Sequence, residues 1–256
     1  MLSLSVGAGN PWCAKNTSAR SSFSCAAGAS RFSKQSPCFI EDQPFVNTLA
    51  HLYLSGSDPD LILGNFIGDS IRGEQFDELN PQVQQGVLLH RQIDRYTDAH
   101  PVFRGLSSLM REDFGRYCSV VTDVFMDHFL AKDWQRYHQQ PLVDYTDWVK
   151  CILAPRISAC PARSQRFFDY LSRTDTLLHY RSTSGINQTL SQMAQRTRFD
   201  SGMEKSGEVL ARLYPQLQNG FDDFFPQLVA YAERQRHSPT PQAKQVSSQA
   251  EPALAS

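Results

Sequence analysis

No run of about 18 apolar residues occurs in this chain, so the sequence offers nothing that would cross a bilayer as a helix. Its six cysteines, at positions 13, 25, 38, 118, 151 and 160, contain no C-x-x-C pair, which leaves zinc-knuckle and dithiol redox chemistry unsupported. Excess charge is missing too. With 25 basic and 26 acidic residues the formal net charge is -1, which argues against a chain-wide field for nucleic acid or an anionic membrane, although a local basic patch is compatible with it. Convincing alternating strands and internal repeats are also lacking. What is present is a chain of 256 residues, 41% hydrophobic, long enough to bury a sizeable core. Cys118, Cys151 and Cys160 sit among apolar helical neighbours, where a free thiol acts as a small hydrophobe. A reduced, cytoplasmic setting is the default expectation.

Acidic residues are absent from one end. Residues 1 to about 45 hold nine serines and four basic residues, with no acidic residue before Glu41. This composition resembles an organelle transit peptide in a eukaryote, and equally a translated upstream region before a misassigned start. Residues 1–46 are therefore expected to be a disordered or non-native extension. Residues 237–256 hold too few apolar side chains to offset their ordering entropy and are expected to form a disordered tail. The segment 47–236 is expected to be one all-α domain. Helices are predicted from Asn47 to the turn SGSDPD, over DLILGNFIGDSIRG to Gly73, and from Asn80 as N-cap with Pro81 in the first turn to just before Pro101. Further helices fit 102–112, 114–134, 142–153, 162–172, 183–197 and 203–235, the last interrupted near Pro215 and bent at Pro226.

On the third helix Val83, Val87, His90, Asp94 and Thr97 share one face, which begins apolar, so a histidine and an aspartate point inward. A carboxylate on a buried stripe costs several kcal/mol, about 2 or more, unless it is paired or binds a metal. In DVFMDHF, Val120, Asp123, Asp127 and Leu130 again share a face, with His128 about 100° further round. His51 in NTLAHLYLS and Asp69 in GNFIGDSIRG lie among apolar residues as well. Singly, each has a plain explanation as a hydrogen-bonded core residue, and Asp69 has Arg72 one turn away. As a set on four helices, they suit a hard or borderline divalent metal. Arg72, Arg91 and Arg95 add guanidinium groups that grip phosphate by two bonds. A metal with nearby arginines suggests phosphoester hydrolysis, in which the metal lowers the pKa of a bound water from about 15.7 toward about 7.

The runs NTLAHLYLS, LGNFIGDSIRG, GVLLHRQIDRYTDAHP and DVFMDHFLAKDW resemble the acyl carrier protein phosphodiesterases, or holo-acyl carrier protein hydrolases, which are allied to the HD-type metal phosphohydrolases. The resemblance is densest over 47–134 and stays collinear to about 235. It implies a helical, manganese-dependent hydrolase, with Mg2+, Fe2+ or Co2+ as other candidate metals. Its substrate would be holo-acyl carrier protein, from whose serine it removes 4'-phosphopantetheine, in the setting of fatty acid biosynthesis. Carried over by motif, His51, Asp69, His90, Asp94, Asp123, Asp127 and His128 form the metal centre and its surroundings. Asp69, His90, Asp94, Arg72 and Arg91 are the expected catalytic set, and Arg91, Arg95 and Arg104 the expected dock for a small acidic carrier protein. The order Asp127-His128 is the reverse of the HD signature, which leaves the ligands within that group undecided. The family usually begins Met-Asn-Phe-Leu-Ala-His, where this chain has Val46 to His51 after its extension. An HD-like hydrolase of a nucleotide or other small phosphoester, and a non-catalytic helical binding module, stand as alternatives.

Overall fold

The apolar spacing of 47–236 predicts helices, and in the computed structural model the described residues, 47–237, contain helices and no strand. The expectations for residues 1–46 and 238–256 lie outside the described residues. The α-helices are α1 (Thr48–Leu54), α2 (Pro59–Ile67), α3 (Glu74–Asp77), α4 (Pro81–Ala99), α5 (Pro101–Leu109), α6 (Arg111–Phe114), α7 (Cys118–Lys132), α8 (Leu142–Leu153), α9 (Ala162–Thr174), α10 (Thr176–His179), α11 (Thr183–Ala194) and α12 (Ser206–Arg236). None of them is long and apolar enough to cross a membrane.

Local chemistry accounts for the starts. Asp58 accepts from the amides of Asp60 and Leu61 at 2.8 and 3.1 Å, and Asn80 accepts from Gln82 and Val83 at 2.8 and 3.2 Å, each with a proline in the first turn. Several elements differ from the sequence expectation: the helix expected over 102–112 is split into α5 and α6, and that expected over 183–197 ends at Ala194. The second helix stops at Ile67 and continues as a 3-10 turn, Gly68–Ser70, before Gly73 takes a φ of 53°. The predicted helix 114–134 begins four residues later, after a turn at Gly115, whose φ is 52°. The last helix runs without interruption through Pro215 and Pro226. Both prolines lie on its exposed side, where water can bond the carbonyls that lose their helical partners. Leu217, Phe221, Phe224, Phe225 and Leu228 hold the opposite side in the core.

The core lies between α12 and the helices α4, α5, α7 and α11 packed on it, while α1 rests on α7 and α2 runs along α4. The α2–α4 approach is unusually close. A Cβ at Gly64 would sit 2.1 Å from the Val83 carbonyl oxygen, and one at Gly86 would sit 2.5 Å from that of Leu61. Only glycine permits the two backbones to touch there, one residue from Asn65 and four from His90. A methyl group against backbone cannot be relieved by a side-chain rotation. Gly64→Ala is therefore expected to destabilise the fold by about 3 kcal/mol, read as a lower urea midpoint, whereas a loss well below about 1 kcal/mol would mean that the helices part easily.

Candidate functional site

Residues from α1, α2 and α4, with the 3-10 turn after α2, meet at one end of this crossing. His51 Nε2 lies 3.0 Å from Asp94 Oδ1, and His90 Nε2 lies 3.3 Å from Asp94 Oδ2 and 3.1 Å from Asp69 Oδ1. The imidazole centroids are 4.2 Å apart. One donor atom each from His51, His90 and Asp94 lies within 4.8 Å of the others, the sole such group among the described residues. Both histidines are buried, whereas the side chains of Asp94 and Asp69 are 40% and 39% exposed, so the carboxylates face the opening. Phe66 and Phe167 help line a small recess shared with His51, Asp69 and His90.

Carboxylate oxygens only accept, so each short Nε2···O contact needs a proton on the imidazole or a cation between the two groups. The electrostatics fit that requirement. Burial opposes protonation of His51, but the hydrogen bond and charge of Asp94, with Asn65 and Asp69, outweigh it and raise its pKa. Burial likewise opposes ionisation of Asp69 and Asp94. For Asp69 the hydrogen bond and charge of His90, then His51 and Arg163, hold the carboxyl below its ordinary value; for Asp94 His51 and then His90 do so. Two imidazole nitrogens and two ionised carboxylates on one opening are a donor set that suits a borderline divalent metal.

The other expected site residues are placed differently. Asp123 accepts from Asn47 Nδ2 at 3.2 Å, and burial followed by the charges of Asp94, Asp127 and Asp98 drives its pKa well up. It is not one of the donors that gather at His51, His90 and Asp94. Asp127 is not brought into the group, because its two oxygens accept the amides of Leu49 and Ala50, each at 2.9 Å. His128 is also elsewhere. Its Nδ1 lies 2.7 Å from the Tyr180 carbonyl and must donate, which leaves Nε2 to accept from Tyr214 Oη at 3.2 Å. Burial lowers its pKa, consistent with a neutral ring joining α7 and α12 to the turn at Tyr180. Arg72 and Arg91 are exposed; Arg91 donates to the Ile71 carbonyl at 2.9 Å and lies 5.5 Å from the Phe76 centroid.

Two contributors had not been singled out. Asn65, only 1% exposed, presents Oδ1 to His51 Nδ1 at 2.7 Å and to His90 Nδ1 at 3.0 Å. Its sequence signal was the same as that of the histidines, a polar residue inside an apolar run, LILGNFIG. Arg163 of α9 donates to the Asp69 carbonyl at 3.2 Å, and nothing local in its sequence announces that contact.

A family model described as acyl carrier protein phosphodiesterase matches residues 46–228, which include every residue of this group. The chain belongs to the acyl carrier protein phosphodiesterase family. This is a family of enzymes. The acyl carrier protein phosphodiesterase of Serratia proteamaculans (strain 568) is 31% identical over 189 residues, covering 73% of this chain and 98% of that protein. That of Yersinia enterocolitica is 29% identical over 189 residues, with 73% and 98% covered. That of Salmonella agona is 30% identical over 190 residues, with 74% and 98% covered. No solved structure matches the chain.

In this member of the acyl carrier protein phosphodiesterase family, α1 brings His51 to the site, and α1 is held from outside. Its N-cap Asn47 has a left-handed φ of 46° and makes no side-chain cap, so Asp127 of α7 takes over the role by accepting the amides of the first turn. Burial raises the Asp127 pKa from 3.8 to about 7, against the pull of the Ala50 and Leu49 amides. Between those values the folded chain keeps a proton that the unfolded chain releases. Stability should accordingly be fullest at the acid end of that window, fall as pH rises, and level off above about pH 7. Urea unfolding across pH is expected to lose this component of the decline in Asp127→Asn. Asp127→Ala should cost about 1–3 kcal/mol by leaving two amides uncapped. An unchanged slope and unchanged stability in both variants would remove Asp127 from the anchoring of α1.

Proposed function

We propose that this protein hydrolyses the phosphodiester joining 4'-phosphopantetheine to the serine of holo-acyl carrier protein, giving apo-acyl carrier protein, with Mn2+ held at the histidine–aspartate group. The observation that carries this reading is the convergence of His51 and His90 Nε2 on the two oxygens of Asp94, in a chain whose relatives bear the name acyl carrier protein phosphodiesterase. His51, His90 and Asp94 would hold the metal, with Asp69 beside His90 as a further oxygen donor; Mg2+, Fe2+ and Co2+ suit the same donors. When bound, a divalent cation supplies Lewis acidity, which polarises a phosphoryl group and acidifies water.

The chain's own groups supply the rest. The half-exposed, ionised Asp69 and Asp94 can accept hydrogen bonds from an incoming water and orient its lone pair toward phosphorus. The water oxygen joins phosphorus, the bond from phosphorus to the serine oxygen breaks, and the serine oxygen leaves with a proton. Arg72 and Arg91, exposed and close in sequence to Asp69 and His90, are suited to steady the phosphate, Arg91 with its guanidinium already braced by the Ile71 carbonyl and Phe76. Acyl carrier proteins are small and acidic. Arg91 and Arg95 on α4 and Arg104 on α5 are exposed and offer the complementary charge for docking.

Mass spectrometry of holo-acyl carrier protein incubated with the protein and Mn2+ should record loss of the phosphopantetheine mass. An unaltered substrate beside turnover of a nucleotide panel would reassign the substrate. Asp94→Asn keeps the size and removes the charge, so hydrolysis at limiting Mn2+ should fall by roughly 100-fold or more with the fold intact; near-normal turnover would take Asp94 out of the site. For the dock, Arg95→Ala and Arg104→Ala are expected to raise KM and flatten its salt dependence with kcat less affected. Equal KM and equal salt slope would put docking elsewhere.

A further inference from the structure

Asn65 lies between the two histidines on the side away from the opening, and its hydrogen bonds admit a single assignment. Its Nδ2 is 3.0 Å from the His51 backbone carbonyl and 2.9 Å from Ser55 Oγ. A carbonyl can only accept, so the amide nitrogen must face it. The Ser55 hydroxyl donates its proton to that same His51 carbonyl at 2.8 Å, which leaves Ser55 Oγ to accept from Asn65. The amide therefore cannot be flipped without setting its oxygen against the His51 carbonyl, acceptor against acceptor, so its oxygen is fixed toward the imidazoles. An amide oxygen has two lone pairs and no proton. His51 Nδ1 at 2.7 Å and His90 Nδ1 at 3.0 Å must then both carry N–H and both donate to Asn65 Oδ1.

We infer that Asn65 is a positioning residue that sets the tautomer of both histidines at once. With Nδ1–H donated to Asn65 on each ring, Nε2 is the nitrogen left to the site: it faces Asp94, and for His90 also Asp69, and it is the atom whose proton a bound cation would replace. Each ring on its own could direct either nitrogen outward; one side chain between them removes that freedom from both. The partner is well placed for this. Ser55 is fully buried, Asn65 nearly so, and Gly68 leaves room for the His90 ring, since a Cβ there would lie 2.4 Å from His90 Cγ. The ring orientation needed to receive a cation is thus built into the chain before any cation arrives, which limits the reorganisation required on binding. Asn65 makes its hydrogen bonds to the imidazoles, the His51 carbonyl and Ser55 and none to the carboxylates, so it acts through the imidazoles.

This inference rests on the metal reading for its purpose, and its test does not depend on activity. Long-range 1H–15N correlation spectra of the metal-free full chain report which ring nitrogens bear protons; single replacements of His51 and His90 assign the signals. Both rings should show Nδ1–H in the wild-type chain. Asn65→Leu, which removes the acceptor at similar size, should convert at least one ring to Nε2–H and weaken Mn2+ binding by about 10- to 100-fold. Asn65→Asp gives up the two donor contacts of Nδ2 but keeps an oxygen acceptor for the rings and should retain Nδ1–H on both, separating the loss of the acceptor from a general loosening of the core. Should Asn65→Leu fail to fold, the wild-type spectrum and Asn65→Asp still decide. A ring of the wild type that lacks Nδ1–H, or Nδ1–H unchanged on both rings in a folded Asn65→Leu chain, overturns the inference whatever the metal does. Nδ1–H on both rings with no Mn2+ binding leaves the tautomer assignment standing and overturns the metal reading instead.

Discussion

The contact of two helix backbones at Gly64 and Gly86 is the constraint on which the site depends. It brings α2 against α4 more closely than any side chain would permit, and the residues that follow each glycine inherit that proximity. Asn65 is one residue past Gly64, and His90 is one turn past Gly86, so a single amide can span both imidazoles without a bridging water. A wider crossing would leave Asn65 Oδ1 short of His90, and a buried imidazole nitrogen without a partner carries a penalty comparable to a lost hydrogen bond.

The polar groups of this helical domain divide by exposure. Asn65, Asp127 and His128 are almost wholly excluded from water, and each has its hydrogen bonds completed by backbone or side-chain partners. Fully satisfied groups of this kind fix positions: Asp127 fixes the start of α1, His128 joins α7 to the turn at Tyr180 and to α12, and Asn65 fixes the rings. Asp69 and Asp94 differ, since about two-fifths of each side chain is open to solvent and each faces a histidine. The rigid members lie behind and the accessible carboxylates in front, which is the arrangement needed if binding is to cost little reorganisation.

The same sequence signal led to opposite placements. His51, Asp69, His90 and Asp94 were legible because each stands at a helical interval among apolar residues, and the chain brings all four together. Asp127 and His128 carry that signal equally well, yet one caps a neighbouring helix and the other serves as a core hydrogen-bond bridge. Periodicity reports that a polar group is turned inward; it does not report what it meets. Asn65 was passed over although it lies in an apolar run, because an amide has no charge whose burial demands an explanation. The interruption expected near Pro215 was misread for a related reason. Pro215 and Pro226 forbid backbone bonds in isolation, but exposed carbonyls can be hydrated while the opposite face is held by Phe221, Phe224 and Phe225.

The sequence by itself determined the helical class, the capped starts at Asp58 and Asn80, and the inward face of α4, since these follow from residues within a few turns of one another. Only the tertiary structure decided which inward groups share a site. That choice depends on pairs far apart in the chain: Asp127 with the first turn of α1, His128 with Tyr180, and Arg163 with Asp69. It also depends on a backbone approach at two glycines whose side chains, being absent, leave no trace in any pattern of polarity. Short-range order is written in local spacing and capping, whereas the meeting of α1, α2 and α4 is a property of how closely helices pack.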